Sequence, residues 1–380
     1  MTSRPLVIAM NGVTGRMGRS QHLERSIMAI REEGGVELSD GSRILPEPVL
    51  VGRDEARLMG LADRFGLDNI STDVQGVLAD PDVDVYFDSQ RTDLRADAVL
   101  AALDAGKAVY CEKPLAESAA VAHDLARRAQ ASGAKNGVVH DKLFLPGLLK
   151  LRRLVDEGFF GRILGIEVDF GYWVFEGGDR PAQRPSWNYK AEEGGSIILD
   201  MFPHWQYVIE GLFGPIESVS ALGVTHIPTR FDEGGVYDAT ADDAVYATLT
   251  LESGAVAQIS SSWATRVNRD DLVVFQVDGV AGSAVAGLRD CAVQTREETP
   301  DAVWNPDVPN PIDHRSLWSP VDAGETYDNG FKLQWERFIR HVVADEPFPW
   351  DFASAARGSD LVEAAMRSWR ERRWVDLSDV

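Results

Sequence analysis

Two stretches of this 380-residue chain set acids, bases and a cation at spacings that could do proton-transfer chemistry. The first, Glu192-Glu193-Gly194-Gly195-Ser196-Ile197-Ile198-Leu199-Asp200-Met201-Phe202-Pro203-His204-Trp205, carries a carboxylate and an imidazole at i and i+4. If a helix begins near the glycines, Asp200 and His204 share one face. A carboxylate one turn from an imidazole can raise its basicity and hold its ring, which suits a general base. The same pair would also make an ordinary hydrogen bond within the helix. The glycines open the helix end to another backbone or a ligand, and Pro203 predicts a kink. The second stretch, Gly106-Lys107-Ala108-Val109-Tyr110-Cys111-Glu112-Lys113-Pro114, runs from a helix-ending glycine through a short strand into a turn forced by proline. Lys113 then places an ammonium at the carboxyl end of a strand, where open α/β sheets hold ligands; a solvated turn lysine is the other reading.

A third stretch points to the ligand. Leu6 to Met10 is an apolar run that stops at Asn11-Gly12-Val13-Thr14-Gly15-Arg16-Met17-Gly18, after which Leu23, Ile27 and Ile30 follow a helical period. Strand, glycine turn and helix open a dinucleotide-binding fold, in which glycines allow a tight turn and close approach of backbone to pyrophosphate. The spacing is G-x-x-G-x-x-G, one residue wider at its first step than the commonest fingerprint. Gly12, Thr14, Gly15, Arg16, Met17 and Gly18 are the expected phosphate contacts. After the next strand, Pro48–Val51, an NAD-preferring fold carries an acid for the ribose 2′-hydroxyl. Here Gly52 and Arg53 stand there, and a guanidinium suits a 2′-phosphate. NADP is therefore the expected cofactor, with NAD possible; in the alternative, Asp54 accepts from the ribose.

These residues need elements to position them. Apolar strands and amphipathic helices alternate to about residue 142, with Ser39–Pro46 as a polar excursion, predicting a doubly wound parallel sheet over 1–142. Polar residues at the end of the fourth strand, Ser89, Gln90 and Thr92, are further candidates for the dinucleotide, as is Glu112. From 143 to 380 the strands lengthen and alternate, predicting an α+β domain with a large open, mostly antiparallel sheet. Thr299–Pro320 reads as a long surface loop, and helices at 331–343 and 353–372 close the chain. There is no internal repeat.

Apolar residues at 44% allow sizeable cores, and a formal charge of −22, from 38 basic and 60 acidic residues, repels nucleic acid. No stretch has the length of a membrane span, and the first apolar run is expected to be a strand and not a signal peptide. Two cysteines make no disulfide framework, so a reducing cytoplasm is expected. Metal is not expected.

The glycine turn, Glu112-Lys113-Pro114, and Gly-Gly followed by Asp200-x-x-x-His204 together resemble the Gfo/Idh/MocA family of oxidoreductases, which takes in glucose–fructose oxidoreductase and inositol dehydrogenases. Asp243 before a strand, Ser253-Gly254 at its turn and Trp335-Glu336-Arg337-Phe338-Ile339 extend the resemblance over nearly the whole chain. It implies a two-domain enzyme that uses NAD(P) and transfers hydride at a ring hydroxyl of a sugar, glycoside or cyclitol. By position, Lys113 would polarise the reacting oxygen and contact the nicotinamide ribose, His204 would take the hydroxyl proton, and Asp200 would orient His204 or bind substrate. Removing hydride from an alcohol carbon does need a base and a nearby cation. The family often shows Thr-Pro-Asn ahead of a His after the fourth strand; this chain has Gln90-Arg91-Thr92 and Arg95. Lys142, Tyr172, Trp173, Arg184, Trp187 and Asn188 are candidate substrate contacts, although Lys142 would equally be solvated and aromatics are often core. The open sheet is expected to make a homodimer or homotetramer. A redox-neutral glycoside-cleaving enzyme and a non-catalytic dinucleotide sensor are the alternatives, and retention of Lys113, Asp200 and His204 argues against the second. Gly15-Arg16-Met17-Gly18 also resembles dihydrodipicolinate reductase, a much shorter enzyme without the other motifs.

Overall fold

The computed structural model describes residues 3–323 and 329–380. The chain divides into two compact units, Met1–Phe144 with Asp328–Asp360, and Leu145–Tyr327 with Leu361–Val380. The sequence reading ran the second domain without interruption from 143 to 380, whereas a late segment returns to the first unit. Apolar periodicity marks that segment as helix but is silent on which core the helix faces.

In the first unit the strands are β1 (Ser3–Asn11), β2 (Val36–Glu37), β3 (Arg43–Val51), β4 (Ile70–Ser71), β5 (Val85–Asp88), β6 (Ala108–Cys111) and β7 (Asn136–Val138). They lie in the order β2-β3-β1-β5-β6-β7, with β4 also on β3, and all pairs are parallel except β2 with β3. β5 and β6 are buried along their whole length, as parallel strands covered on both faces are. β3 begins well before the expected Pro48, and part of the supposed excursion, Arg43 to Pro46, is strand. Pro46 and Pro48 share one direction of the pleat, so both missing N–H groups fall on one side of the strand. β2 and β4 pair only with the two ends of β3, and no partner strand among the described residues requires those N–H groups.

The returning segment covers this sheet. The Val138 N–H donates to the Trp350 carbonyl (2.9 Å), and the Asn136 amide oxygen accepts from the Phe352 N–H (2.8 Å). In helix Gly330–Ala344, Phe338 stacks on Tyr110 at 4.6 Å between ring centroids and Trp335 meets Tyr110 edge-on at 4.6 Å.

In the second unit the strands are β8 (Ile163–Gly171), β9 (Ile216–Val224), β10 (Thr229–Asp232), β11 (Gly235–Asp238), β12 (Ala244–Leu251), β13 (Val256–Ser262), β14 (Val273–Gly279), β15 (Gly282–Ala286), β16 (Cys291–Thr295), β17 (Ser319–Pro320) and β18 (Val375–Asp376). Nine of them form one sheet in the order β17-β16-β15-β14-β8-β13-β12-β9-β18, and only β8 with β13 is parallel. β10 and β11 make a separate hairpin that the sequence reading missed. Helix Ile197–Phe213 is buried over most of its length and runs continuously through Pro203. Its Trp205 packs on Phe170 of β8 and Phe275 of β14 and donates from Nε1 to the Ser261 hydroxyl of β13 (2.8 Å). The alternation of β8, β12 and β13 thus has one side on the helix and the other in water.

Gly137 tests the returning segment. A Cβ there would lie 2.6 Å from Phe348 and 3.2 Å from Phe338, so Gly137→Ala is expected to destabilise the fold by about 1–3 kcal/mol through overpacking. An unchanged denaturation midpoint would refute that packing.

Candidate active site

The glycine turn is built for close approach. Gly12 has φ +87°, and a Cβ on it would stand 2.6 Å from the Ser89 backbone and 2.8 Å from the Gln90 nitrogen. A Cβ on Gly18 would meet the Ser89 hydroxyl at 2.5 Å and the Gly12 carbonyl at 2.6 Å. These two glycines let the turn, the end of β5 and the following helix pack together. Gly15 is exposed, and Gly12 O at 3.3 Å is the nearest atom to a Cβ built on it, so it is the glycine with room for a ligand. The helix, π-type over Gly18–Met28 and α-helical over Ala29–Glu32, starts with Met17 at its cap, which supplies no side-chain acceptor. Its first N–H groups therefore suit a pyrophosphate, so the residues present fit a dinucleotide.

Arg16 and Arg53 are exposed. Asp54 is the N-cap of helix Glu55–Phe65: it accepts from the Arg57 N–H (3.1 Å) and lies 3.3 Å from the Arg57 guanidinium. Its carboxylate thus caps its own helix.

Behind the glycine turn lies a buried polar network. The Asp88 carboxylate accepts from Arg95 Nε (3.2 Å), the Gln90 N–H (3.0 Å), Gln90 Nε2 (2.8 Å) and the Tyr86 hydroxyl (2.8 Å). Arg95 also donates to the Gln90 carbonyl (2.8 Å) and to the Pro114 carbonyl. Ser89 gives its N–H and hydroxyl to the Asn11 carbonyl. Ser89 and Gln90, expected to touch the dinucleotide, thus use these side-chain groups to hold the loop, and Thr92 opens helix Thr92–Asp104.

The strand end at Lys113 is held from the other side. The Glu112 carboxylate takes the Lys113 N–H (3.0 Å) and lies 2.8 Å from His22 Nε2. Burial pushes the Glu112 carboxyl up, but the His22 hydrogen bond and the charges of Lys113 and Arg95 outweigh it and leave it below its ordinary value. At the next strand end, Lys142 pairs with Asp141 (2.5 Å), and burial lowers His140 to about 3, which keeps that imidazole neutral.

In the second unit, Ser196 caps helix Ile197–Phe213 and accepts from the Leu199 N–H. A Cβ on Gly195 would fall 2.3 Å from the Trp187 carbonyl, so the approach this glycine permits is that of the 187–188 backbone. Asp200 and His204 lie one turn apart as expected. The Asp200 carboxylate takes the Arg184 guanidinium at 2.5 Å, and His204 Nδ1 lies 2.7 Å from the Tyr207 hydroxyl. The ring thus meets at Nδ1 a phenol one turn along the same helix. Arg184 also sits 4.0 Å over the Trp263 ring and donates to Asn188 (3.2 Å), whose amide donates to the Pro185 carbonyl (3.0 Å). Asn188 is therefore a buried brace of its loop, Trp187 is half exposed, and Tyr172 lies close enough to Arg184 to interact with its charge. Tyr207, His22, Asp88 and Arg95 were not picked out as site residues. Tyr207 carried a readable signal, three residues beyond His204; the others become neighbours only in the fold.

A strand, glycine turn and helix ahead of a parallel sheet, with acids, bases and cations collected at its strand ends, define a dinucleotide-dependent oxidoreductase. A family model described as an oxidoreductase family with an NAD-binding Rossmann fold matches residues 8–140, and one for the GFO/IDH/MocA C-terminal domain matches 148–285. The chain belongs to the Gfo/Idh/MocA family of oxidoreductases. It is 53% identical to a D-xylose dehydrogenase of Paenarthrobacter nicotinovorans, over 100% of each chain. It is 26% identical to a levoglucosan dehydrogenase of Pseudarthrobacter phenanthrenivorans, over 84% of this chain and 86% of that one. A solved levoglucosan dehydrogenase, in complex with NADH and L-sorbose, superposes with a TM-score of 0.81 at 22% identity, over 98% of this chain and 99% of the other. The protein is an oxidoreductase acting on CH–OH groups, with an NAD-binding domain.

The Asp88–Arg95 pair has a measurable weight. Arg95→Met would strand a carboxylate with no exposure and is expected to destabilise the first unit by about 3–5 kcal/mol, part of which Asp88→Leu in the same chain restores. Chemical denaturation of the single and double variants checks this; additive losses would show the two are uncoupled.

Proposed function

We propose that this protein is an NADP-preferring sugar dehydrogenase that oxidises D-xylose or a similar pyranose at a ring hydroxyl. The observation that carries the reading is the full-length likeness to a D-xylose dehydrogenase, 53% identical from end to end. Lys113, Asp200 and His204 are present in the positions the family motifs require.

When bound, the nicotinamide supplies the hydride acceptor. His204, donating its Nδ1 hydrogen to Tyr207, acts as a base through the Nε2 lone pair and takes the hydroxyl proton. Lys113 offsets the charge that builds on the oxygen as the proton leaves. Asp200, with Arg184 on its carboxylate, binds and orients sugar hydroxyls, and Lys142, Tyr172 and Trp187 supply further contacts. Arg53 would hold the 2′-phosphate with charge-assisted hydrogen bonds, while Arg16 and the N–H groups of the glycine turn would hold the pyrophosphate. Two free, buried thiols, whose acidity burial lowers, fit a cytoplasmic enzyme.

The test is dinucleotide reduction with D-xylose as probe. NADP is expected to be reduced in preference to NAD, and Arg53→Ala is expected to raise KM for NADP about tenfold or more while leaving that for NAD little changed. Lys113→Met and His204→Asn are each expected to lower kcat by about 10²-fold or more. Aldoses and cyclitols that all leave both dinucleotides oxidised would sink the proposal, and release of an aglycone without net NADPH would favour redox-neutral cleavage.

We also propose that the solvent-facing side of the nine-stranded sheet docks a second copy of the chain. Leu222, Tyr246 and Val256 are each more than a third exposed on the neighbouring strands β9, β12 and β13, and Leu222 and Tyr246 line a groove of about 680 Å³ on this face. Light scattering of the wild type is expected to give a dimer or tetramer that Leu222→Glu with Tyr246→Arg dissociates. A wild-type monomer would remove the idea.

A further inference from the structure

The hydrogen bonds around Glu112 fix more than a loop. The Trp335 indole lies with Nε1 3.0 Å from His22 Nδ1, and His22 Nε2 lies 2.8 Å from Glu112 Oε1. An indole N–H can only donate, so Nδ1 must accept and the imidazole hydrogen must sit on Nε2. His22 then donates to Glu112 Oε1, and the other oxygen, Oε2, accepts the Lys113 backbone N–H at 3.0 Å. All three side chains are out of water, with His22 and Trp335 at 0% exposure and Glu112 at 7%. The Phe87 ring, with its centroid 4.5 Å from that of His22, and Phe331 at 5.2 Å close around the imidazole, so no water competes for its nitrogens.

We propose that His22 and Trp335 are positioning residues for Lys113, acting through Glu112. The chain of bonds is directional: the indole dictates the imidazole tautomer, the tautomer orients the carboxylate, and the carboxylate locks the backbone of the residue that bears the ammonium. A catalytic cation held this way keeps one placement relative to the reacting oxygen, and a displacement near 1 Å can cost about 10²-fold in rate. This rests on the role given to Lys113 under Proposed function. The expected signature is a loss of kcat with binding intact, because neither His22 nor Trp335 is among the dinucleotide or sugar contacts assigned above.

Two measurements on the full-length protein test it. The ¹⁵N spectrum of His22 is expected to show the Nε2–H tautomer in neutral buffer without any substrate; an Nδ1–H tautomer overturns the proposal. With NADP and D-xylose as probes, His22→Leu is expected to lower kcat about tenfold to hundredfold, with both KM values within about twofold. His22→Gln, whose amide can donate to Glu112, is expected to recover most of that rate. If His22→Leu does not fold, Trp335→Phe takes its place, with an expected loss of kcat of about threefold or more. An unchanged kcat in the folded variant, or a glutamine no better than leucine, overturns the proposal while a dead Lys113→Met leaves the role of Lys113 standing. A fully active Lys113→Met removes both.

Discussion

A buried carboxylate facing a buried guanidinium is the constraint on which the ligand end of the first unit depends. Asp88 has no exposed side-chain surface and Arg95 only 2%. Neither charge tolerates such burial alone, so each enforces the presence of the other and of the hydrogen bonds that complete their shells. Those bonds reach Gln90, Tyr86 and the Pro114 carbonyl. The loop after β5 and the turn after β6 are thereby tied to one pair of charges, and Gly12 and Gly18 bring the glycine turn against that same loop. The glycine turn and the turn at Lys113 are placed together because their supports share one network.

The second unit solves a similar problem with two adjacent acids. Asp243 has no exposed side chain, accepts from the His226 N–H (2.7 Å) and Ile227 N–H (3.0 Å), and pairs with the equally buried Arg230 at 3.2 Å. Arg230 in turn lies 3.7 Å over the Tyr189 ring, which brings the β10–β11 hairpin against the loop that carries Asn188. Asp242, whose carboxyl burial pushes up, accepts from the Ile198 N–H (3.1 Å) through its side chain and from Ile197 (3.1 Å) through its carbonyl. The start of the helix bearing Asp200 and His204 is therefore fixed by the residues just before β12.

Charge works at two ranges in this protein. A net −22 would repel an anionic dinucleotide from the surface as a whole. At the glycine turn, the exposed Arg16 and the start of the following helix supply a local positive potential, while more distant acids are screened by salt.

Much of this architecture was legible in the chain, because strand and helix periods, helix-ending glycines and the proline after Lys113 act within a few residues of one another. The alternation up to residue 142 predicted the parallel sheet, and the glycine spacing predicted the turn. Where local propensity misled, the tertiary structure had changed the question: Pro46 and Pro48 lie within β3 because that strand needs full pairing on only one side. Asp200 and His204 were readable as one helical face, but Arg184 and Tyr207 as their partners were not, since a carboxylate and an imidazole take whichever donor or acceptor the packing brings. The bond from Trp335 to His22 spans 313 residues, and no periodicity reaches that far. The sequence by itself determined the elements and the kinds of chemistry available. Only the tertiary structure decided which buried charge met which partner, because burial is what makes an unmatched polar group costly and so selects a single arrangement.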